Sequence, residues 1–354
     1  MLATNPLNSS QFAARPHALI ASVAATAALA SAAYAQDSQP PVAPAASDST
    51  LIAPEAARAD GSPAPVGSTS DSNASSSDFG YSVGAGYLHQ FNATIDSGAS
   101  MGVDRFYASF SSRLVKADDF TLTLAMGYEF DWYHWKGTSS LGTNDPFGSV
   151  NLFALQLRGS YRLSSEWTVG VAGIFGAAGE TSADAGDSIY GGGIASVAWT
   201  PSKDVMIGLG LLAVTQLQDD PLFLPIPILH WRFAEEWTLS TIRRPPASPF
   251  VGVDVAWEPA DSPVDVSVGI AWQQRRFRLG SNTAANLNNG VGEDQSFAAI
   301  ATVGYDFSPN VRLDLLGGVN FYEKLQVENS AGRQVRDANV DPSAMLGLFL
   351  TVRF

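Results

Sequence analysis

Residues 345–354, Met-Leu-Gly-Leu-Phe-Leu-Thr-Val-Arg-Phe, constrain the fold more than any other part of the chain. In an extended strand side chains alternate with period two. Leu346, Leu348, Leu350, Val352 and Phe354 therefore share one wholly apolar face, while Met345, Gly347, Phe349, Thr351 and Arg353 share the other. A soluble protein seldom leaves such a strand at an open edge, because its free N–H and C=O groups template pairing with other chains. A closed membrane barrel pairs its last strand with its first and has no edge. The expectation is an all-β, antiparallel transmembrane β-barrel.

The same stretch resembles the C-terminal strand of bacterial outer-membrane β-barrels. That resemblance implies that Phe354 is part of an insertion signal and that the barrel-insertion machinery and outer-membrane lipids are partners. The other end agrees. Arg15 and His17 lead into the apolar run Ala18–Ala30, and Ala33-Tyr34-Ala35 gives an A-x-A cleavage pattern, the organisation of a secretory signal peptide over 1–35. With no cysteine in the chain, a lipoprotein anchor and a disulfide framework are excluded. The expected location is the outer membrane of a Gram-negative bacterium, reached through the periplasm.

Charge narrows the function classes. The chain has 20 Lys+Arg and 34 Asp+Glu, a formal charge of −14, and removing 1–35 takes out only Arg15, leaving −15. Nucleic acid, which needs a basic surface, is excluded as a partner. Charged residues make up 15% of the chain, against roughly 25% in a soluble domain. The four lysines, Lys116, Lys136, Lys203 and Lys324, fall at expected turns or strand ends, not on faces that would meet solvent.

Residues 36–78 are rich in Ala, Pro, Ser, Asp and Gly, with one Arg and no aromatic. They cannot bury enough apolar surface to offset ordering entropy, and are read as a disordered spacer, with a plug or periplasmic tether as the functional alternative. From Phe79 to Phe354 the pattern is period two. Phe120, Leu122, Leu124, Met126, Tyr128, Phe130 and Trp132 oppose Thr121, Thr123, Ala125, Gly127, Glu129 and Asp131. Short connections are expected at 116–119, 164–166, 200–204, 234–236, 259–263 and 308–310. Longer ones are expected near 92–102, 134–148, 179–188, 217–225, 243–248, 280–295 and 326–341. Alternating short and long connections join about 14 strands, with 12 as the alternative, and an even count places both termini on the periplasmic side. Pro225, Pro227, Pro245, Pro246 and Pro249 fit poorly inside strands. Trp167, Trp199, Trp237 and Trp257 lie beside short turns, and Trp132, Trp135 and Trp272 near long loops, as two interfacial girdles require.

The stretch Pro225-Ile-Pro-Ile-Leu-His-Trp-Arg-Phe233, followed by Glu236-Trp-Thr-Leu239, resembles the centre of an uncharacterised family of bacterial outer-membrane barrels known chiefly by a domain of unknown function. The resemblance implies the barrel and no activity.

If the apolar face meets lipid, the opposite face lines the lumen. Its charged candidates are Arg105, Arg113, Glu129, Arg158, Arg162, Asp254, Asp265, Asp306, Arg312, Asp314 and Arg353, together with Arg275. They are either a pore lining that selects small polar solutes or ions or a salt-bridge network filling a closed lumen. Loop carboxylates Glu180, Asp184, Asp187, Asp219, Asp220, Glu293 and Asp294 match no calcium-loop pattern, so no metal and no cofactor is expected. Arg275, Arg276 and Arg278, near a loop start, are candidates for lipopolysaccharide phosphates or a solvated strand end. The mature chain's three histidines, His89, His134 and His230, accompany no nucleophile or zinc motif. The leading expectation is a porin-like passive channel. The alternatives are a non-conducting structural or surface-binding barrel with a salt-bridged lumen and, third, a lipid-active or proteolytic enzyme. The oligomeric state is left open.

Overall fold

The computed structural model describes residues 80–96, 98–141, 145–241, 250–281 and 286–354. The signal-peptide and spacer expectations, 1–35 and 36–78, and the prolines at 245, 246 and 249 lie outside them. Fifteen strands form one sheet: β1 (Tyr81–Thr94), β2 (Ser100–Lys116), β3 (Phe120–Lys136), β4 (Ser149–Arg162), β5 (Trp167–Glu180), β6 (Ile189–Ser202), β7 (Val205–Gln216), β8 (Asp219–Ala234), β9 (Trp237–Thr241), β10 (Phe250–Trp257), β11 (Val264–Arg278), β12 (Val291–Ser308), β13 (Val311–Glu328), β14 (Gln334–Val340) and β15 (Ser343–Arg353). Each strand pairs antiparallel with its chain neighbour up to β13, and β15 then pairs with both β13 and β1, closing the ring.

β14 and β15 keep one register on β13 from Val311 to Val327, Glu323 opposite Val340 and Asn320 opposite Ser343, with a shift only at Glu328. They are two halves of a last strand interrupted at Asp341–Pro342, where proline cannot donate to the ladder. The barrel therefore has 14 strands around its ring. At the seam Phe354 stacks on Tyr81 with ring centroids 4.7 Å apart, and their backbones exchange hydrogen bonds of 2.9 and 3.3 Å. Both described ends lie on the short-turn rim.

Parity decides which residues meet the outside. In β15, Leu346, Leu348 and Leu350 are exposed while Met345 and Phe349 are buried. Across the short-turn rim Trp167 pairs with Trp199 and Trp237 with Trp257, all outward and exposed. This belt has the architecture of a transmembrane β-barrel, whose outward face is apolar and bounded by aromatics.

All six short connections fall where the alternation places them. Of the long ones, 243–248 lies outside the described residues, 92–102 shortens to 95–99, and three others differ more. The loop expected over 217–225 is a two-residue turn, Leu217–Gln218, with Gln218 at φ 59°. Pro221, Pro225 and Pro227 lie inside β8. Leu229 N–H points to Thr241 of β9, at 3.0 Å, so the proline nitrogens two and four residues earlier point the same way. β8 pairs with β9 only from His230 onward, and the β7 ladder on the other edge loses no donor. The loop expected over 280–295 ends at Gly290, which puts Glu293 and Asp294 in β12. The loop over 326–341 shrinks because β13 and β14 continue as a paired ladder.

Candidate functional site

The lumen is built in layers. Near the long-loop rim inward side chains form a dry core: Met101, Val103, Tyr133, Phe147, Phe277, Leu325 and Val327 are among its buried members. Trp135, expected in the aromatic girdle, turns inward here, because odd positions of β3 face the lumen, and its indole N–H donates to Phe147 O at 2.6 Å. β5 and β11 also touch across the barrel: Arg278 pairs in parallel with Gly179, and Gly280 N–H donates to the Glu180 carboxylate at 2.6 Å. The ring is pinched at this level.

Beneath the core lies a wholly buried ion bridge. Arg275 of β11 donates Nε to Glu129 Oε1 of β3 at 2.6 Å and lies 3.2 Å from Asp131 Oδ2. Arg105 of β2 donates to Asp294 Oδ2 at 2.9 Å and to Gln90 Oε1 at 2.8 Å. Tyr133 donates its hydroxyl to Asp294 at 2.9 Å, and Gln90 donates to Glu323 at 2.5 Å. Two guanidiniums pair with three carboxylates, Glu129, Asp131 and Asp294, and Glu129 Oε2, Asp131 Oδ1, Asp294 Oδ1 and Glu323 Oε1 have no hydrogen-bond partner among the described residues. A buried network this incompletely satisfied costs stability, and specific geometry is the more defensible reason for its presence.

Below the bridge a cavity is lined by Leu88, Tyr107, Leu316, Met345 and Phe349, with Arg105 and Arg275 at its ceiling. The short-turn half carries the remaining charges. Arg312 makes a bidentate contact with Asp265 at 2.6 and 2.8 Å and also reaches Asp314 at 2.9 Å and Asp306 at 3.4 Å. Gly304 makes this possible, since a Cβ there would sit 1.9 Å from Arg312 Nη2. Asp254 does not join Asp265; it accepts from Ser240 at 2.8 Å. Arg353 faces inward at the rim and is buried; it donates to Pro309 O at 3.4 Å. Arg113, Thr123 and Arg158 lie in one row on β2, β3 and β4, with Arg162 two pleat periods nearer the rim. Just beyond β10, Glu258 accepts from Thr238 at 2.9 Å. Burial pushes its carboxyl up to about 7, and nearby Asp265 adds to the rise.

The arginines expected to meet phosphates do something else. Arg275 is in the bridge, Arg276 pairs with Glu293 and Glu328 at 2.7 and 2.6 Å, and Arg278 donates to Asp187 O at 2.9 and 2.8 Å. On the outer wall, Asp104 accepts from Tyr87 and is 2.7 Å from both His89 Nδ1 and His134 Nε2. Thus His134 meets Asp104, not the inward Asp131, and neither imidazole contacts a hydroxyl or thiol nucleophile among the described residues.

Two features escaped the sequence reading. The bridge joins residues up to 233 positions apart, Gln90 with Glu323, and nothing local in sequence pairs them. The inner wall of β5–β8 is apolar, with Ile194, Met206, Leu212, Val214, Ile226 and Ile228 packed together. That one was readable, since 205–214 is apolar at both parities apart from its glycines.

No protein-family model matches the chain, and no curated protein does. Among solved structures it is similar to an outer-membrane channel of Pseudomonas putida F1, with TM-score 0.45 and 14% identity over 78% of this chain and 96% of that one. It is also similar to the P. putida toluene transporter TodX, with TM-score 0.36 and 10% identity over 79% and 91%. The KdgM porin gives TM-score 0.32 and 9% identity over 75% and 97%. The class, a closed 14-stranded transmembrane-type β-barrel, rests on the chain's own ring closure and outward apolar belt.

Proposed function

We propose that the chain is a porin-like passive channel for small polar solutes or ions in the bacterial outer membrane. The observation that carries this is the short-turn half of the lumen, lined by Arg113, Arg158, Asp254, Asp265, Arg312 and hydroxyl side chains. A barrel that only needed to be filled would carry apolar packing there at lower cost. In the conformation described, the ion bridge and the dry core form a septum across the long-loop half. Passage requires that septum to yield, so conductance is small and intermittent. Liposome swelling tests the proposal: vesicles holding the folded chain swell in small polar solutes faster than empty vesicles, with a steep cutoff in solute size. Rates equal to those of empty vesicles contradict it.

The second reading, a non-conducting barrel with a salt-bridged lumen, is favoured by the complete burial of Arg275, Glu129, Asp131 and Asp294. Catalysis has no such support.

A further inference from the structure

The cavity beneath the bridge exists because the wall that carries it is built with small residues. Its lining comes from six neighbouring strands of the ring, β11, β12, β13, β15, β1 and β2. Phe349 lies opposite Gly86 across the seam, and a Cβ on Gly86 would collide with its ring. Met345 lies opposite Gly318, where a Cβ would come within 3.2 Å of Met345 Cε. Both long side chains therefore fold back over glycine instead of reaching into the lumen. On β11 and β12 the lining positions Ala271 and Ala298 face one another across the ladder, and two methyl groups do not fill the space.

Walls and ceiling differ in chemistry. Leu88, Ile300, Leu316, Met345 and Phe349 give the cavity an apolar body. Tyr107 packs its ring on Phe349 with centroids 5.4 Å apart, and Ser296 lies one pleat period from Ala298 on the side of the bridge. Both line the cavity, and among the described residues neither hydroxyl makes a hydrogen bond. Arg105 and Arg275 line it too, but their charges are committed, Arg105 to Asp294 at 2.9 Å and Arg275 to Glu129 at 2.6 Å. An anion entering here would compete with carboxylates already in place. A cation would meet two guanidiniums first. Apolar walls penalise either charge, and a neutral molecule meets none of these costs.

The open space is about 60 Å³, room for roughly four or five waters at 10–15 Å³ each, or about 120–150 Å³ of liquid. An alcohol of about four carbons has that volume. Water against these walls leaves much of its hydrogen bonding unmade, whereas an alkyl chain gains by burial there. We propose that the cavity is a binding site for small neutral amphiphiles, the apolar body held by Leu88, Leu316 and Phe349 and the single hydroxyl served by Tyr107 and Ser296. The site deepens the channel reading by naming a class of solute that pauses beneath the septum. It rests on that reading for passage and not for binding.

Fluorine NMR of the full folded chain in lipid nanodiscs reads binding directly, with trifluorobutanol as the probe and empty nanodiscs as the measure of partition into lipid. The expected result is a saturable protein-bound signal, displaced by 1-butanol at concentrations about tenfold below those needed of butyrate or butylammonium. Ala298→Leu fills the cavity and abolishes the signal. Tyr107→Phe combined with Ser296→Ala keeps the Tyr107 ring position packed on Phe349 and removes only hydroxyls. It weakens binding about two- to tenfold, the worth of a hydrogen bond. If Ala298→Leu does not fold, the hydroxyl variant decides alone. No signal beyond that of empty nanodiscs, equal displacement by all three competitors, or binding unchanged in the hydroxyl variant overturns the site. Liposome swelling in small polar solutes reads the channel separately. A bound signal without swelling rejects the channel and keeps the site, and swelling without a bound signal rejects the site and keeps the channel.

Discussion

Arg275 on β11 reaches across the lumen to Glu129 on β3, Nε to Oε1 at 2.6 Å, with side chains 2% and 0% exposed. Arg275→Met strands buried Glu129 and is expected to cost about 3–5 kcal/mol. Glu129→Gln costs less, because Arg275 keeps Asp131 at 3.2 Å and Asp294 at 3.8 Å. The double variant recovers part of the Arg275→Met loss, because a neutral glutamine at 129 needs no cation. Urea unfolding in a refolding-competent lipid or detergent measures it, and additive losses would mean the pair is not coupled.

Gly304 is required by packing, not by its backbone angle. A methyl there meets both Arg312 Nη2 and, at 2.8 Å, Asp265 Oδ1. Gly304→Ala should displace the guanidinium and destabilise the barrel by roughly 1–3 kcal/mol, an overpacking cost. Arg312→Ala should remove the closer clash, so that adding Ala at 304 then costs less, with the Asp265 contact left. Equal cost in both backgrounds would refute the contact.

Phe277 is wholly buried and sits edge-on to Phe147, with centroids 5.1 Å apart. Phe277→Ala opens a void in the dry core and should cost about 3–5 kcal/mol. The outward, 61% exposed Phe307 should cost far less in detergent, where micelle carbon replaces lipid. Comparable losses at the two sites would contradict a packed core at the long-loop rim.

Glu258 supplies a pH dependence. Its carboxyl rises from 4.5 to about 7, with burial the largest cause. The folded state therefore holds a proton that the unfolded chain has released between those values. This contribution to stability is fully present below about 4.5 and is lost as pH climbs to about 7. Glu258→Gln should flatten that part of the profile and be the more stable form at pH 8. An unchanged slope between pH 4.5 and 7 would refute the assignment.

The barrel was legible because lipid enforces strict parity over long runs. The alternation 120–132 and the terminal 345–354 each predict the face that the structure exposes. Inwardness of Arg105, Arg113, Glu129, Arg158, Arg162, Asp254, Asp265, Asp306, Arg312, Asp314 and Arg353 follows from the same parity. Partners did not follow, because parity gives the face and not the register around the ring. Arg312 finding Asp265, 47 residues away, depends on the Asp265–Gly304 and Gly304–Asp314 pairings. β8 was misjudged because proline is a poor strand residue only where its missing donor is needed.

The central claim is a channel closed by a septum, and single-channel current through the folded chain in a planar bilayer tests it most directly. The account predicts small, discrete, intermittent steps, with longer openings in Arg275→Met, where the bridge across the lumen is cut. Silence from the wild type and from Arg275→Met, with insertion of both demonstrated by protease protection, would contradict it and leave the sealed, salt-bridged barrel.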